Sequence, residues 1–190
     1  MSNLTLPNVS IERNACKESD IRYTPASAVQ ALLSSSVAPP KGYYVEPAAG
    51  SGDLIRVLDE WGFRCSFACE IREEERRNLQ HAALNVYIGD YLSLVPLVSG
   101  DTYIMNPPFS LGAQFWAHIM KYSPGYVAAL LRCNTLGSNT WADTWNQYPP
   151  TAIRALRKRP SFTGDGKTDA SEYMWAIYHE GDKPMNLRSV

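Results

Sequence analysis

The tetrapeptide Asn106-Pro107-Pro108-Phe109 restricts the fold of this 190-residue chain more than any other stretch. Apolar, β-prone residues precede it at positions 102–105, and small polar residues follow it. The two prolines fix two φ angles and remove two N–H donors. We therefore expect a strand to end here in a stiff turn that presents carbonyl groups beside an amide and an aromatic ring. Such a corner suits a planar ring with an exocyclic amino group, although similar turns also end strands that carry no site.

A glycine turn at residues 47–53 is the second constraint. It follows a short apolar strand and opens a helical pattern, and a strand, turn and helix of this kind place backbone N–H groups next to a ligand. The small residues Ala48, Gly50 and Gly52 allow a ligand to approach the backbone closely. The third glycine of a dinucleotide fingerprint is missing, and no Gly-Lys-Ser/Thr sequence of a phosphate loop follows.

Acidic residues follow the next two predicted strands. Glu70 ends an alternating stretch about twenty residues beyond the glycines, where an acid can bind ribose hydroxyls. The alternative is that Glu70 only begins a charged, solvated helix. Asp90 comes after a third short strand in the same way, although Asp after Gly is also common in turns.

Helical patterns alternate with these strands. We expect one helix at residues 26–36, with Thr24 as its N-cap and Pro25 at its first position. A second is expected at residues 72–84, with Glu73 and Arg77 paired four residues apart. A third, at 113–122, has an aromatic face that favours core packing over ligand contact.

The predicted fold class is α/β, with a doubly wound sheet of seven strands, because five strands alternate with helices and two more close the chain. The strands are expected at residues 43–46, 64–70, 86–88, 102–105, 126–132, 152–159 and 172–178. Residues 1–22 are expected to be a loose arm, residues 134–150 a long connection with one short helix, and residues 160–170 a loop.

Length and composition predict a single domain over residues 1–190. With 45% apolar and 19% charged residues and no long apolar run or signal pattern, a soluble, cytoplasmic protein without a membrane partner is expected. The net charge of −1 argues against a broadly basic surface. A basic cluster remains as a candidate phosphate contact, with a solvated patch as the alternative. Its members are Arg154, Arg157, Lys158, Arg159 and Lys167.

The four cysteines are predicted to be reduced, buried thiols. No Cys-x-x-Cys pair occurs, and no metal site is expected. Cys65 and Cys69 lie four residues apart, so on a regular strand they would share one face.

Together, the sequence Glu-Pro-Ala-Ala-Gly-Ser-Gly-Asp at residues 46–53 and Asn-Pro-Pro-Phe at residues 106–109 resemble the motifs of S-adenosylmethionine-dependent methyltransferases. The chain is most similar to the amino-group enzymes that methylate adenine N6 in DNA. The resemblance covers residues 20–132 firmly and the remainder loosely. It also implies that a seventh, antiparallel strand lies between the fifth and sixth.

The resemblance implies roles for individual residues in cofactor binding. The turn from Glu46 to Asp53 would lie against the methionine part of S-adenosylmethionine, and Tyr23-Thr24-Pro25 would close over that end. Glu70 would hold the ribose hydroxyls. The cofactor's adenine would pack on Ile71 and face Asp90, with Tyr91 beside it.

The resemblance also implies which residues would bind the target amine and its base. The Asn106 side-chain oxygen and the Pro107 carbonyl would accept its two hydrogens, and Phe109 would stack on a base flipped from DNA. Many enzymes of this kind carry a separate target-recognition domain, for which residues 1–190 are expected to have no room, so sequence choice would fall to residues 134–150 and 160–170 or to a partner. Open alternatives are an RNA base methyltransferase, a protein glutamine methyltransferase and a non-catalytic binding protein. Monomer and homodimer are both open alternatives, and a compact, solitary methyltransferase domain is compatible with a phage or mobile-element origin.

Overall fold

The computed structural model describes residues 23–95, 101–162 and 168–187. The expected loose arm and Lys167 therefore lie outside the described residues. Five α-helices and seven strands are present in these ranges. The helices are α1 (Ala26–Leu33), α2 (Asp53–Glu60), α3 (Arg76–Gln80), α4 (Gly112–Met120) and α5 (Asn139–Gln147). The strands are β1 (Tyr43–Glu46), β2 (Arg64–Glu70), β3 (Val86–Ile88), β4 (Thr102–Met105), β5 (Tyr126–Arg132), β6 (Ala152–Ala155) and β7 (Tyr173–His179).

All seven strands form one sheet in the order β3-β2-β1-β4-β5-β7-β6. Strands β1 to β5 pair in parallel, whereas β7 runs antiparallel to both β5 and β6. This confirms the predicted α/β class and the antiparallel strand between the fifth and sixth. From β1 the chain adds strands on one side of the sheet and then, with β4, starts to add them on the other side. In open α/β sheets, ligands bind at such a switch point, beyond the carboxyl ends of the strands.

Two apolar layers cover the sheet. One contains α1 and α2, with Leu32, Leu58 and Trp175 completely buried. The other contains α4 and α5, where the Trp116, Trp141 and Trp145 rings pack together. Strand β5 is buried along six of its seven residues, as expected for a central strand with helices on both faces.

The expectation that Cys65 and Cys69 share one face of β2 is wrong. The register between β1 and β2 shifts at Tyr44 and Val45, which pair with Cys65 and Phe67 and leave Ser66 as an extra residue. A bulge of this kind reverses the alternation of the side chains that follow it. Cys65 consequently packs in the α1–α2 layer and Cys69 in the opposite one. Both are buried, as predicted, whereas the prediction is wrong for Cys133, which is half-buried, and Cys16 lies outside the described residues.

Three predicted elements differ from the structure in length. The helix expected at residues 26–36 ends at Leu33. The helix expected at residues 72–84 is a 3-10 turn (Glu73–Glu75) followed by the short α3, and Glu73 pairs with Arg76 rather than Arg77. The sixth strand ends at Ala155 instead of residue 159, because β6 has only four residues in register with β7.

Candidate active site

The glycine turn lies at the carboxyl end of β1 and is fastened to the end of β2. Gly50 and Gly52 adopt positive φ angles of 55° and 83°, which side chains with a Cβ rarely tolerate. The Ala49 N–H donates to the Cys69 carbonyl at 2.8 Å, and the Gly50 N–H donates to the Glu70 carboxylate at 2.7 Å. The glycine turn and Glu70 therefore form one hydrogen-bonded unit.

Glu70 is buried and already accepts several hydrogen bonds. Besides the Gly50 N–H, it accepts bonds from the backbone N–H of Arg72 at 3.0 Å and from Arg72 Nε at 2.9 Å. The Arg72 guanidinium also pairs with Glu75 at 3.1 Å. An ionised carboxylate has about four acceptor positions, so three are occupied within the protein. A ligand diol that used both oxygens would have to replace one bond from Arg72.

Glu46 is a buried carboxyl group at the end of β1, only 1% exposed. Its Oε1 accepts a long bond of 3.4 Å from the Ala48 N–H, whereas Oε2 has no hydrogen-bond partner. Burial raises the pKa of Glu46 well above its usual range, and the nearby Glu70 charge raises it further, against the opposing effect of the Ala48 N–H. The group is therefore suited to a ligand that brings its own donor or positive charge.

The ends of β2 and β3 supply the apolar walls. Ile71 is 37% exposed, and Tyr91 is buried and stacked on Phe115, with 5.9 Å between the ring centroids. Burial raises the pKa of Tyr91, so it remains a neutral phenol. The Asp90 carboxylate accepts the Leu92 N–H at 2.9 Å and thereby caps the 3-10 turn Tyr91–Ser93. This bond fixes the side chain at the rim of the cleft.

Asn106 follows the last residue of β4, beside β1 at the switch point. Its Nδ2 donates to Thr24 Oγ1 at 3.0 Å. The prediction that Thr24 caps α1 is wrong, since the helix begins at Ala26, Pro25 occupies the N-cap position and no side chain makes a capping bond. The Thr24 hydroxyl instead holds the amide of a residue 82 positions away.

The two prolines and Phe109 face different surroundings. Pro108 lines the cleft, and its carbonyl accepts the Leu111 N–H at 2.9 Å, while Pro107 is buried behind it. The Phe109 ring lies outside the cleft lining and packs against Phe162 and Tyr173, with centroid distances of 6.1 and 5.6 Å. The motif therefore separates an amide that lines the cleft from a ring that packs against the core outside it.

A single cleft at the carboxyl edge of the sheet brings most of the predicted residues together. The predicted residues that line it are Tyr23, Thr24, Glu46, Ala48, Gly50, Asp53, Glu70, Ile71, Asp90, Tyr91, Asn106 and Pro108. Pro25, Gly52, Pro107 and Phe109 do not line it. Sequence reasoning did not single out Arg72, Leu111 or Phe115 as lining residues. Their positions close to the motifs in sequence are only a weak indication that they line a site. Phe115 was expected to belong to the core, and its side chain is indeed buried.

The basic cluster is divided in the structure. Arg157 and Lys158 are exposed on the segment that leaves β6 at the same sheet edge as Asn106, since β6 runs parallel to β5. Arg159 pairs with Glu172 at 2.7 Å. Arg154 lies within β6 itself and donates to Ser36 Oγ at 3.3 Å, so it is directed toward α1.

Among the described residues, no three His, Cys, Asp or Glu side chains are grouped closely enough to hold a metal ion. Within those same ranges, no helix has the length and apolar character needed to cross a bilayer.

Comparison of the fold with solved structures gives the class of protein that it resembles. A candidate RNA methyltransferase from Pyrococcus horikoshii superposes with a TM-score of 0.63 at 16% identity, over 82% of this chain and 84% of that one. The 23S rRNA methyltransferase ErmE gives 0.59 at 14% identity, over 87% and 72%. The methyltransferase subunit of a type I restriction-modification system from Streptococcus thermophilus gives 0.62 at 14% identity, over 86% of this chain and 46% of that subunit.

The chain has the Rossmann-like fold of S-adenosylmethionine-dependent methyltransferases. This conclusion concerns the fold alone, since the sequence identities are low. No model of a known protein family matches the sequence, and no curated protein matches it. The chain spans just under half of the restriction-modification subunit.

Proposed function

We propose that this protein is an S-adenosylmethionine-dependent methyltransferase that acts on the exocyclic N6 amino group of adenine in DNA. The observation that carries the proposal is the position of Asn106, which is held by Thr24 at the rim of a cleft that also contains Glu46, the glycine turn and Glu70. An amide at this place is suited to bind an amino group next to a bound cofactor.

The cleft fits S-adenosylmethionine in chemical terms. Glu46 has a buried oxygen without a partner, which suits the ammonium group of the methionine part. The turn at Gly50 leaves the backbone uncovered, and Glu70 lies where a ribose could exchange hydrogen bonds with it. Ile71, Asp90 and Tyr91 would surround the adenine of the cofactor. When bound, S-adenosylmethionine supplies a methyl group activated by attachment to a sulfonium.

The residues of the tetrapeptide would act on the target amine. Its nitrogen is a poor nucleophile because the lone pair is delocalised into the ring. Hydrogen bonds from that amine to Asn106 Oδ1 and the Pro107 carbonyl would favour a pyramidal nitrogen and stabilise the positive charge that develops on it. Orientation and electrostatics would carry the rate rather than a tuned general base.

DNA is preferred as the substrate because Asn at the first position and Phe at the last resemble the adenine-N6 enzymes. RNA is the second candidate, since two of the solved structures similar to this fold are described as RNA methyltransferases. The exposed Arg157 and Lys158 would bind backbone phosphates in either case. Reversal of these two charges is expected to weaken binding and flatten its salt dependence; unchanged binding would contradict the phosphate role.

The test is transfer of a labelled methyl group from S-adenosylmethionine to separate pools of DNA, RNA and protein, with an Asn106→Ala control. We expect label in DNA, located at N6 of adenine by mass spectrometry of the nucleosides. Label in RNA alone would favour the second candidate, and label in protein would indicate a glutamine enzyme. Cofactor binding without transfer to any pool would mean a binding protein and would overturn the proposal.

A further inference from the structure

Arg132 is a charged residue next to the proposed target site to which the function above assigns no role. It ends β5, the strand that pairs in parallel with β4 and therefore stops at the same sheet edge as Asn106. Its guanidinium carbon lies 4.3 Å from the centroid of the Phe109 ring. Its Nε donates to the hydroxyl of Tyr173 at 3.2 Å. Arg132 thus covers the aromatic residue of the tetrapeptide.

The contact is a cation–π interaction over the face of the ring. A guanidinium is planar and delocalised, and it stacks on aromatic faces about as closely as another ring does. One face of Phe109 cannot hold Arg132 and a nucleobase at the same time. Phe162 and Tyr173 also pack against this ring. A base that stacks on the face under Arg132 can do so only after the guanidinium has moved.

Arg132 is also well placed to bind an anion after it moves. Among the ion pairs formed between described residues, none includes Arg132. The side chain is half-buried rather than enclosed, and the exposed Arg157 and Lys158 leave the sheet at the same edge. A permanently charged, forked donor of this kind is suited to phosphate.

We propose that Arg132 occupies the place of the target base on Phe109, gives way to the flipped base, and then binds a phosphate of the nucleic acid. This inference rests on the proposed function, because it requires a nucleobase substrate. It assigns Arg132 as a positioning residue that keeps the apolar ring covered until a substrate arrives. The base and the phosphate together replace the two contacts that Arg132 gives up.

The direct test follows the Nε–Hε resonance of Arg132 by NMR in the full chain, assigned with Arg132→Lys. The ring current of Phe109 should shift this resonance in the protein alone. A single-stranded oligodeoxynucleotide that contains adenine, added with S-adenosylhomocysteine, should remove the shift. An all-thymine strand of equal length, with the same phosphates and no target amine, should leave most of it. A shift that persists in the adenine complex would overturn the inference, as would loss of the shift with the thymine strand, which offers no adenine to take the place of Arg132.

Kinetics with Arg132→Gln give a second, independent test. At saturating S-adenosylmethionine, which fills the cofactor cleft, removing the charge over Phe109 should lower the inhibition constant of free adenosine, which carries no phosphate, by about two- to fivefold. The same change should raise KM for the oligonucleotide and reduce the slope of log affinity against log salt by about 0.7. Arg64→Gln, at the opposite sheet edge, should change neither. Impairment of both ligands together would indicate a structural role and contradict the inference.

The two proposals fail in different ways. If no nucleic acid accepts a methyl group, the proposed function is wrong. If transfer to DNA occurs while Arg132 stays on Phe109, only the exchange is wrong, and Arg132 is a fixed wall of the site.

Discussion

Under the proposed function, the sheet edge has a cofactor side and a target side, and the two are built differently. On the cofactor side, the contacts join residues close in sequence: Gly50 and Glu70 are 20 positions apart, and Arg72 binds the acid two positions before it. On the target side, they join distant parts of the chain. Asn106 and Thr24 are 82 positions apart, and Arg132 and Tyr173 are 41 apart.

If the proposed function is correct, this difference predicts which step each half controls. A bend fixed by positive φ angles and nearby hydrogen bonds keeps its shape through local geometry. The target side depends on the assembled sheet and is completed by a side chain, Arg132, that covers the motif. Substitutions on the cofactor side should therefore change cofactor affinity, whereas those on the target side should change kcat or the handling of the nucleic acid.

Asn106→Ala is expected to have the largest effect. Loss of an acceptor that works mainly in the transition state should lower kcat by about 10²- to 10³-fold. The affinity for S-adenosylhomocysteine, measured by calorimetry, should change less than about threefold. The control is Asn85→Ala, an exposed amide at the amino end of β3, which should retain activity. An Asn106 variant that lost cofactor affinity as strongly as kcat would break the division between the two halves.

Glu46→Gln should have the next largest effect: it should weaken cofactor binding but stabilise the protein without cofactor. A charge-assisted bond to the cofactor's ammonium would be lost, so affinity at pH 7.5 should fall roughly 10- to 100-fold. Wild-type binding should tighten as the pH rises from 5 to 7.5, because the ligand must deprotonate a carboxyl whose pKa is raised by burial. The variant should lack that pH dependence.

Without ligand, the same substitution should stabilise the protein. Below pH 4, Glu46 is protonated in both the folded and the unfolded chain and contributes no difference. As the pH rises above that range, the unfolded chain ionises first, so the free energy of unfolding of the wild type falls relative to the variant. Urea unfolding at pH 4 and pH 7 would measure this gap. A variant less stable than the wild type at pH 7 would contradict it.

The same contrast explains which features of the fold could be predicted from the sequence and which could not. The alternating strands and helices of the sheet were predictable because they leave local patterns in the sequence. The antiparallel position of β7 was expected from the resemblance alone. The bond from Thr24 to Asn106 was not predictable, since the hydroxyl looked like an ordinary helix cap. The bulge at Ser66 left no pattern either, and it placed Cys65 and Cys69 on opposite faces.

The contacts of Phe109 at the candidate site could not be predicted from the sequence either. Its presence after two prolines predicted an aromatic surface for a base, but its neighbours come from β5, β7 and the segment that follows β6. Such contacts are set by tertiary packing, which a single sequence does not encode locally. The role of Phe109 in stacking a base stays a prediction.

Gly50→Ala should have an intermediate effect that is confined to the cofactor side. A Cβ at Gly50 would meet only Arg72 Nη2, at 3.9 Å, so the cost is the positive φ angle, roughly 1–2 kcal/mol of stability. Gly62→Ala is the matched control, with a φ of 81° and open space around it. Both variants should lose similar stability in thermal unfolding. Only Gly50→Ala should weaken cofactor binding, by about tenfold; equal binding in the two would show that the bend does not contact the cofactor.

Thr24→Val should have the smallest effect and is the sharpest probe of the boundary between the halves. Valine keeps the shape of threonine but cannot accept the bond from Asn106 Nδ2, and one neutral hydrogen bond is worth about 1 kcal/mol. Because that bond only orients the amide, kcat should fall about fivefold while Kd for S-adenosylhomocysteine stays nearly constant. Thr24→Ser, which keeps the hydroxyl, should restore most of kcat. If valine raised Kd and left kcat intact, Thr24 would belong to the cofactor side, and Asn106 would be oriented by other contacts.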